Sequence, residues 1–266
     1  MRKKHIVLLS IAIIFLVAVI WMIWGNTSVG LTSYTICEAN LPEEFDGYQI
    51  AHVSDLHNSW LWKKTLQHLR EANPDIICIT GDIVDSNRTD VQRALDFASE
   101  AVKIAPCYYV TGNHELRIPA DQMNQLWQGL RALGVIVLFD EEIILEKNGG
   151  QIALVGHKMG NEKDVADLSD FDGYRILLSH RPEYFEDYVS GEYEIVLSGH
   201  AHGGQVRLPL LGGVIAPGQG LFPTYDSGVY TQGCTDMVVN RGVGNSRFPI
   251  RFANRPEVIL ITLQCV

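Results

Sequence analysis

The longest uninterrupted apolar run in the chain lies at its start. From Ile6 to Trp24, 19 residues carry no charge. At 1.5 Å per residue such a helix spans roughly 28 Å, close to the ~30 Å hydrocarbon layer of a bilayer. Arg2, Lys3 and Lys4 precede the run, and Trp21 and Trp24 stand at its far end, where indoles favour the membrane interface. The pattern predicts one N-terminal transmembrane helix, with residues 1–26 forming a cytoplasmic tip and anchor. A cleaved signal peptide has a shorter apolar core, ~7–15 residues, and a small-residue cleavage site. Trp-Met-Ile-Trp-Gly is a poor match to such a site, so the anchor is expected to stay attached. The basic tip orients the chain with everything after the helix outside the cytoplasm: a single-pass protein of the cell membrane with an extracytoplasmic domain.

Beyond the anchor the pattern changes period. Residues 27–47 read as a polar stalk and a lead-in strand, Leu31 to Cys37, and 48–266 as one domain. Segments 48–54, 76–80 and 106–110 read as strands, and the apolar run Ile76 to Ile79, bounded by Gly81, as one buried on both faces. Between and after them, 63–71, 89–103 and 120–133 show helical spacing; Val91, Leu95, Ala98 and Val102 mark one buried face. This β-α-β-α-β-α order predicts parallel strands. The second half is richer in strands. Segments 135–139, 142–146 and 151–155 suggest a meander with Asn148-Gly149-Gly150 as a hairpin turn, and strands follow at 174–179, 194–198, 229–230, 237–240 and 258–263. The expected fold class is α/β, with two packed sheets flanked by helices.

Charge and cysteine content narrow the field. The net charge of −10 argues against a nucleic-acid partner, which would favour a basic stripe. It leaves phosphate substrates open, because bound metal ions can supply local positive charge. The five cysteines show no Cys-x-x-Cys spacing, and an odd number gives no complete disulfide framework.

Five apolar runs end in polar residues: Asp55-x-His57, Gly81-Asp82, Gly112-Asn113-His114-Glu115, His180, and Gly199-His200-x-His202. Strands fix the backbone, and the loops beyond their ends can aim side chains at one point. Aspartate, asparagine and histidine together make a ligand set suited to Mn, Fe or Zn rather than to Ca or Mg alone. Each piece also has an ordinary reading. Asp55 and Asp82 could cap helices, and His180, before Arg181-Pro182, could be a turn residue. His52, inside a strand, reads as structural, and His68 as a surface residue. Five such pieces, each at the same structural place, favour convergence.

The order D-x-H, G-D, G-N-H-E, H, G-H-x-H resembles the calcineurin-like metallophosphoesterases, over essentially the whole chain after the anchor. The segments Gly199-His200-Ala201-His202-Gly203-Gly204-Gln205 and Asn240-Arg241-Gly242-Val243-Gly244 resemble its membrane-associated bacterial branch, the YkuE/YaeI type. The resemblance implies a four-layer α-β-β-α sandwich of two packed mixed sheets. It also implies two divalent metal ions: Asp55, His57, Asp82 and His202 at the first, and Asp82, Asn113, His180 and His200 at the second, with Asp82 bridging. A hydroxide shared by the ions would attack phosphorus in a phosphodiester or phosphomonoester, the branch tilting the expectation to diesters. His114 would be the catalytic residue that stabilises the phosphoryl group or protonates the leaving oxygen, with Glu115 orienting it.

Substrate-binding roles fall to Arg241, in a Gly-rich loop, and to His157, where that branch commonly carries acidic residues. The 208–230 loop reads as a packed surface loop, or as a lipid-facing lip because the anchor keeps the domain near a bilayer. The expected partners are a phosphoester substrate, lipid- or cell-wall-linked, and the cytoplasmic membrane through the N-terminal helix; no nucleic acid is expected. Two other readings stay open: a pyrophosphatase acting on a nucleotide-sugar lipid such as UDP-diacylglucosamine, and a non-catalytic metal-binding module.

Overall fold

The computed structural model describes residues 2–160, 165, 168–245 and 248–266. In chain order, α1 (Arg2–Thr27) leads into β1 (Gly30–Glu38) and β2 (Gln49–Val53). Then come α2 (Trp62–Ala72), β3 (Ile76–Thr80), α3 (Val91–Ala101), β4 (Cys107–Val110), α4 (Ala120–Ala132) and β5 (Ile136–Val137). The second half holds β6 (Glu141–Lys147), β7 (Gly150–Gly156), β8 (Arg175–Leu178), α5 (Phe185–Ser190) and β9 (Ile195–Ser198). Two small ribbons follow, β10 (Arg207–Leu208) with β11 (Gly212–Gly213) and β12 (Ile215–Ala216) with β13 (Gly220–Leu221). The chain closes with β14 (Gly228–Gln232), β15 (Thr235–Val239) and β16 (Glu257–Cys265).

These strands build two six-stranded mixed sheets, ordered β1-β16-β2-β3-β4-β5 and β14-β15-β9-β8-β7-β6. Strand β3 shows why they stack. All five of its residues are buried, and they divide by pleat. Ile76 and Cys78 join the core between the sheets, with Ile50, Val110, Ile152, Leu154, Ile176, Leu197 and Ile259. Ile77 and Ile79 face the helices and pack with Leu66 and Leu69 of α2, Phe97 and Ala98 of α3, and Leu126 and Leu130 of α4. A strand apolar on both faces must be covered on both, and this fixes three of the four layers. The fourth is thinner than the other helical layer: the six-residue α5 supplies Phe185 and Tyr188 over Val155, Leu177 and Val196.

Two local expectations differ from what is found. The meander is confined to β6 and β7, an antiparallel pair turned by Asn148 (φ 53°) and Gly149 (φ 100°). From β7 through β8 and β9 to β15 the pairing is parallel, so strand-rich sequence here does not mean hairpins. The strand expected within 27–47 is a sheet edge: β1 pairs in parallel with β16 over its full length, and only Ser28 and Val29 separate it from α1. Within each sheet the parallel strands β2, β3, β4 and β8, β9 deliver their carboxyl ends to one edge of the sandwich.

Candidate metal centre

The loops after β2, β3, β4, β8 and β9 are stitched together by backbone bonds. Asp55 N–H donates to Gly81 O (3.1 Å), His57 N–H to Asp82 O (2.9 Å) and Gly199 N–H to His180 O (3.1 Å). Carboxylates complete the stitching: Asp82 Oδ1 accepts from His114 N–H (2.7 Å), and Asp55 Oδ2 from His200 N–H (3.0 Å). Space is short enough to dictate two glycines. A Cβ at Gly112 would run into the Asp82 carboxylate, and one at Gly199 into the side chains of Ser54 and Asp55.

The framework holds residues in a sparsely populated backbone region. Asp55 (φ 50°), His57 (45°), Asp82 (51°), His200 (64°) and His202 (48°) are all left-handed. Each such residue costs ~1–3 kcal/mol, and strain of this kind gathers where side chains must be aimed.

Their side chains meet. His57 Nε2 lies 3.7 Å from Asp55 Oδ1 and 3.1 Å from His202 Nε2, and His202 Nε2 lies 3.4 Å from Asp55 Oδ1. On the other side of Asp82, His180 Nε2 lies 3.1 Å from His200 Nδ1 and 3.3 Å from Asn113 Oδ1. Asp82 Oδ2 belongs to both groups, 3.5 Å from His57 Nε2 and 3.4 Å from His180 Nε2. Donor atoms ~2.1 Å from one ion stand ~3.0–3.4 Å apart. At 3.1–3.7 Å the separations lie within this spacing or a few tenths of an ångström beyond it, so the donor set suits two cations with Asp82 between them.

Burial and satisfaction point the same way. The seven residues are 0–6% exposed. Asp55 Oδ1 and His57 Nδ1 are buried with no hydrogen-bond partner among the described residues. The amide of Asn113 presents either face to its neighbours. Turned over, its nitrogen donates to His200 Nδ1 (2.7 Å) and its oxygen accepts from Arg117 (3.1 Å). With the oxygen inward, lone pairs of Asn113, His180 and His200 converge on one spot, which a cation satisfies. Outer partners set the rings. His180 Nδ1–H donates to Thr80 O (2.7 Å), which turns Nε2 toward Asp82 and the position a cation would take, and Glu183 Oε1 lies 3.9 Å from His200 Nε2.

Electrostatics follow from this crowding. Burial opposes ionisation of Asp82, but the charge and hydrogen bond of His180 outweigh it and hold the carboxyl well below its usual range. For His180 burial again opposes the charge, and Asp82 overcomes it, pushing the imidazole up to about 10. Burial pulls His202 down to about 3.

His114 lies above this cluster. Its Nδ1 accepts from Ser86 N–H (2.9 Å), with Ser86 Oγ at 3.0 Å. Burial lowers its pKa, so the ring is neutral near pH 7 and its proton resides on Nε2, 4.0 Å from Asp82 Oδ2. Glu115 does something other than orient His114. Its carboxylate accepts from the backbone N–H groups of Gly112 (2.7 Å), Asp82 (3.0 Å) and Val84 (3.3 Å), which ties the β3 and β4 loops together. Burial, then Asp82, raise its pKa to about 7.

A cavity of about 450 Å³ opens over the cluster, lined by Asp82, Asn113, His114, Arg117, Arg181, His200, His202 and Gln205, with Ile215 and Phe248 on its wall. Arg117 and Arg181 belong to no motif singled out in the sequence, and Gln205, which closes the 199–205 segment, has no role of its own there. Two expected substrate contacts lie apart from the lining. Arg241 Nε sits 3.7 Å from Glu257 Oε1, and His157 is buried with Nδ1 3.3 Å from Ser179 Oγ. His52 is a core residue bonded to Thr80 Oγ1 (2.8 Å).

Comparisons with known proteins agree with this geometry. A sequence profile of the calcineurin-like phosphoesterases matches residues 48–204. The uncharacterized metallophosphoesterase YkuE of Bacillus subtilis is 30% identical over 258 residues, covering 88% of this chain and 85% of that protein. Phosphodiesterase YaeI of Escherichia coli is 29% identical over 224 residues, covering 81% and 82%. Among solved structures, TT1561 of Thermus thermophilus shares the fold with a TM-score of 0.50 at 11% identity, over 73% of this chain and 89% of that one. On the profile match and the shared identity with YkuE, this chain belongs to the calcineurin-like phosphoesterase family.

Proposed function

We propose that the protein is a metal-dependent phosphoric ester hydrolase that prefers phosphodiesters and acts at the outer face of the cytoplasmic membrane. The observation that carries the reading is that the donor groups Asp55–His57–His202 and Asp82–His180–His200 are joined at Asp82 Oδ2, 3.5 Å from His57 Nε2 and 3.4 Å from His180 Nε2, on the floor of the cavity beside His114. Asp55, His57, Asp82 and His202 would hold one divalent ion, and Asp82, Asn113, His180 and His200 the other. The mixture of imidazole, carboxylate and amide donors suits Mn, Fe or Zn. When bound, two such ions polarise phosphoryl oxygens and lower the pKa of water at the site.

The chain's own groups do the rest. Ser86 N–H keeps Nδ1 of His114 aprotic, so Nε2 holds the proton that the leaving oxygen requires. Arg117 and Arg181 line the cavity and offer charge and hydrogen bonds to phosphoryl oxygens. Glu115 keeps the two loops that carry Asp82 and Asn113 in register. A diester presents a second organic group, and the Ile215–Phe248 wall gives it somewhere to lie. The name of the relative YaeI, a phosphodiesterase, supports the same choice. The location rests on α1, whose 24 residues from Lys4 to Thr27 are long and apolar enough to cross a membrane, and on the basic residues before it.

Hydrolysis of bis(4-nitrophenyl) phosphate and 4-nitrophenyl phosphate by the Mn-loaded full chain tests the reading. The expected kcat/KM is at least ~10-fold higher for the diester, and chelation should abolish both rates. A preference for the monoester would overturn the diester assignment. No turnover of either ester with Mn, Fe or Zn would overturn the enzyme.

A further inference from the structure

The end of α1 is docked onto the domain. The Asn26 side chain pairs both ways with one backbone residue: Nδ2–H donates to Arg251 O (2.8 Å), and Oδ1 accepts from Arg251 N–H (2.7 Å). The guanidinium of Arg255 stacks 4.5 Å from the Trp24 ring and donates to Ser28 Oγ (2.9 Å). Lys64 Nζ donates to Thr27 O (2.5 Å) and lies 5.6 Å from the ring of Trp60, which is 59% exposed. Indoles and long cationic side chains around a helix exit are what a membrane interface favours.

This docking sets the depth of the neighbouring segment. The Phe252 ring packs edge-on against Trp21, with centroids 5.6 Å apart. Trp21 is three residues further into the apolar run than Trp24, ~4.5 Å along the helix axis. Phe252 is thereby held at the level of the last turn of the membrane-spanning stretch. Phe248, Ile250 and Phe252 stand at alternate positions and are 59%, 55% and 44% exposed, while Arg251 between them is 1% exposed. The strip leads directly to the site. Phe248 lines the cavity, and Gln205, also in its lining, donates to the carbonyls of Phe248 (3.0 Å) and Ile250 (2.8 Å).

A second apolar patch starts where this strip ends. Arg207 N–H donates to Phe252 O (2.9 Å), and from there the β10–β13 ribbons run out and return. The β10–β11 turn exposes Leu210 fully and Leu211 at 64%, and the end of β13 exposes Leu221 at 68% and, just beyond it, Phe222 at 58%. Leu210 and Phe222 are held at positive φ, 68° and 54°. Apolar side chains in strained turns are a poor choice for a surface that faces only water.

We propose that the 248–252 strip and the β10–β13 turns form a lip seated in the leaflet from which α1 emerges, so that the catalytic cavity opens onto the headgroup layer. The occupant of this surface is the bilayer. Resting on the phosphodiesterase reading, the substrate class is then a phosphodiester carried on a lipid, reached without leaving the membrane.

The test uses the full chain in phosphatidylcholine–phosphatidylglycerol liposomes, with the exposed Cys37 and Cys234 replaced by serine. A nitrobenzoxadiazole label is placed at Leu211→Cys, at Ile250→Cys, or at the control Gln151→Cys, at the opposite end of β7 from the site. Lipids spin-labelled near the top of the acyl chain should quench positions 211 and 250 at least threefold more than 151. Equal quenching at all three, or protection of 211 and 250 by a second copy of the chain in place of lipid, overturns the lip. A second measurement reads substrate presentation. Leu210→Ser/Leu211→Ser should leave turnover of soluble bis(4-nitrophenyl) phosphate within twofold. It should lower turnover of a hexadecyl 4-nitrophenyl phosphodiester in vesicles at least fivefold. Equal effects on the two esters overturn the substrate class. The quenching result stands whether or not any ester is hydrolysed, so failure of the lip and failure of the enzyme are told apart.

Discussion

The cluster around Asp82 and the strip around Ile250 lie on two sides of one cavity and break opposite rules. Around Asp82, two carboxylates, four imidazoles and an amide are withdrawn from water. Around Ile250, large apolar side chains are left in it. Buried charge is tolerated when cations or donors answer it, and here Asp55 Oδ1 is buried with imidazoles at 3.4 and 3.7 Å but accepts no hydrogen bond from the described residues. A contiguous apolar surface is tolerated when something apolar covers it. On the readings proposed above, each region suits a partner of its own kind: divalent transition-metal ions in one, hydrocarbon in the other. Their rigidity differs too. The cluster is stitched by bonds among five loops, whereas the lip's outer turns are two-residue ribbons.

Perturbations that affect one region and spare the other sharpen the contrast. The largest effect is expected from Asp82→Asn, which weakens the oxygen both clusters share. Diester hydrolysis should fall by at least ~10³-fold and bound metal should drop below two ions per chain, while liposome quenching at position 250 is unchanged. Full activity with full metal content in this variant would break the assignment. Next is His114→Asn, expected to lower kcat by ~10²–10⁴ with metal content intact. Metal loss alongside the activity loss would place His114 in the cluster instead of above it. The smallest effect is on stability. Glu115→Gln replaces one of the two oxygens that accept from three backbone N–H groups with an amide donor. A cost of ~1.5–3 kcal/mol is expected, a melting temperature lower by ~3–10 °C, with the lip undisturbed. An unchanged melting temperature would show that the two loops need no clamp.

The two regions were also unequally legible in the sequence. The strand ends were readable because short continuous apolar runs stopping at Gly-Asp or Gly-Asn-His give both the element and the place where it ends. The crowding at Gly112 and Gly199 explains why glycine stands in those motifs. What local pattern cannot carry is pairing between distant segments. Strand β1 joins β16, more than 220 residues away, so its place in the sheet was not visible from 27–47 alone. Likewise the three segments at 135–139, 142–146 and 151–155 suggested a meander, but β5 joins the other sheet and only β6 and β7 pair as a hairpin. Arg117 and Arg181 reach the cavity from loops whose directions only the fold determines. Glu115 follows His114 in sequence, which suggested a partnership, but its side chain turns inward to backbone donors. The strip at 248–252 reads as unremarkable sequence; it takes the Asn26–Arg251 pairing to show that it lies beside the anchor.

The central claim is that two cations share Asp82. Electron paramagnetic resonance of the Mn-loaded full chain, with metal stoichiometry determined on the same sample, tests it most directly. The account predicts two Mn per chain giving the spectrum of an exchange-coupled pair, replaced by that of isolated ions in Asp82→Asn. One Mn per chain, or two that are magnetically independent in the unaltered protein, would contradict it.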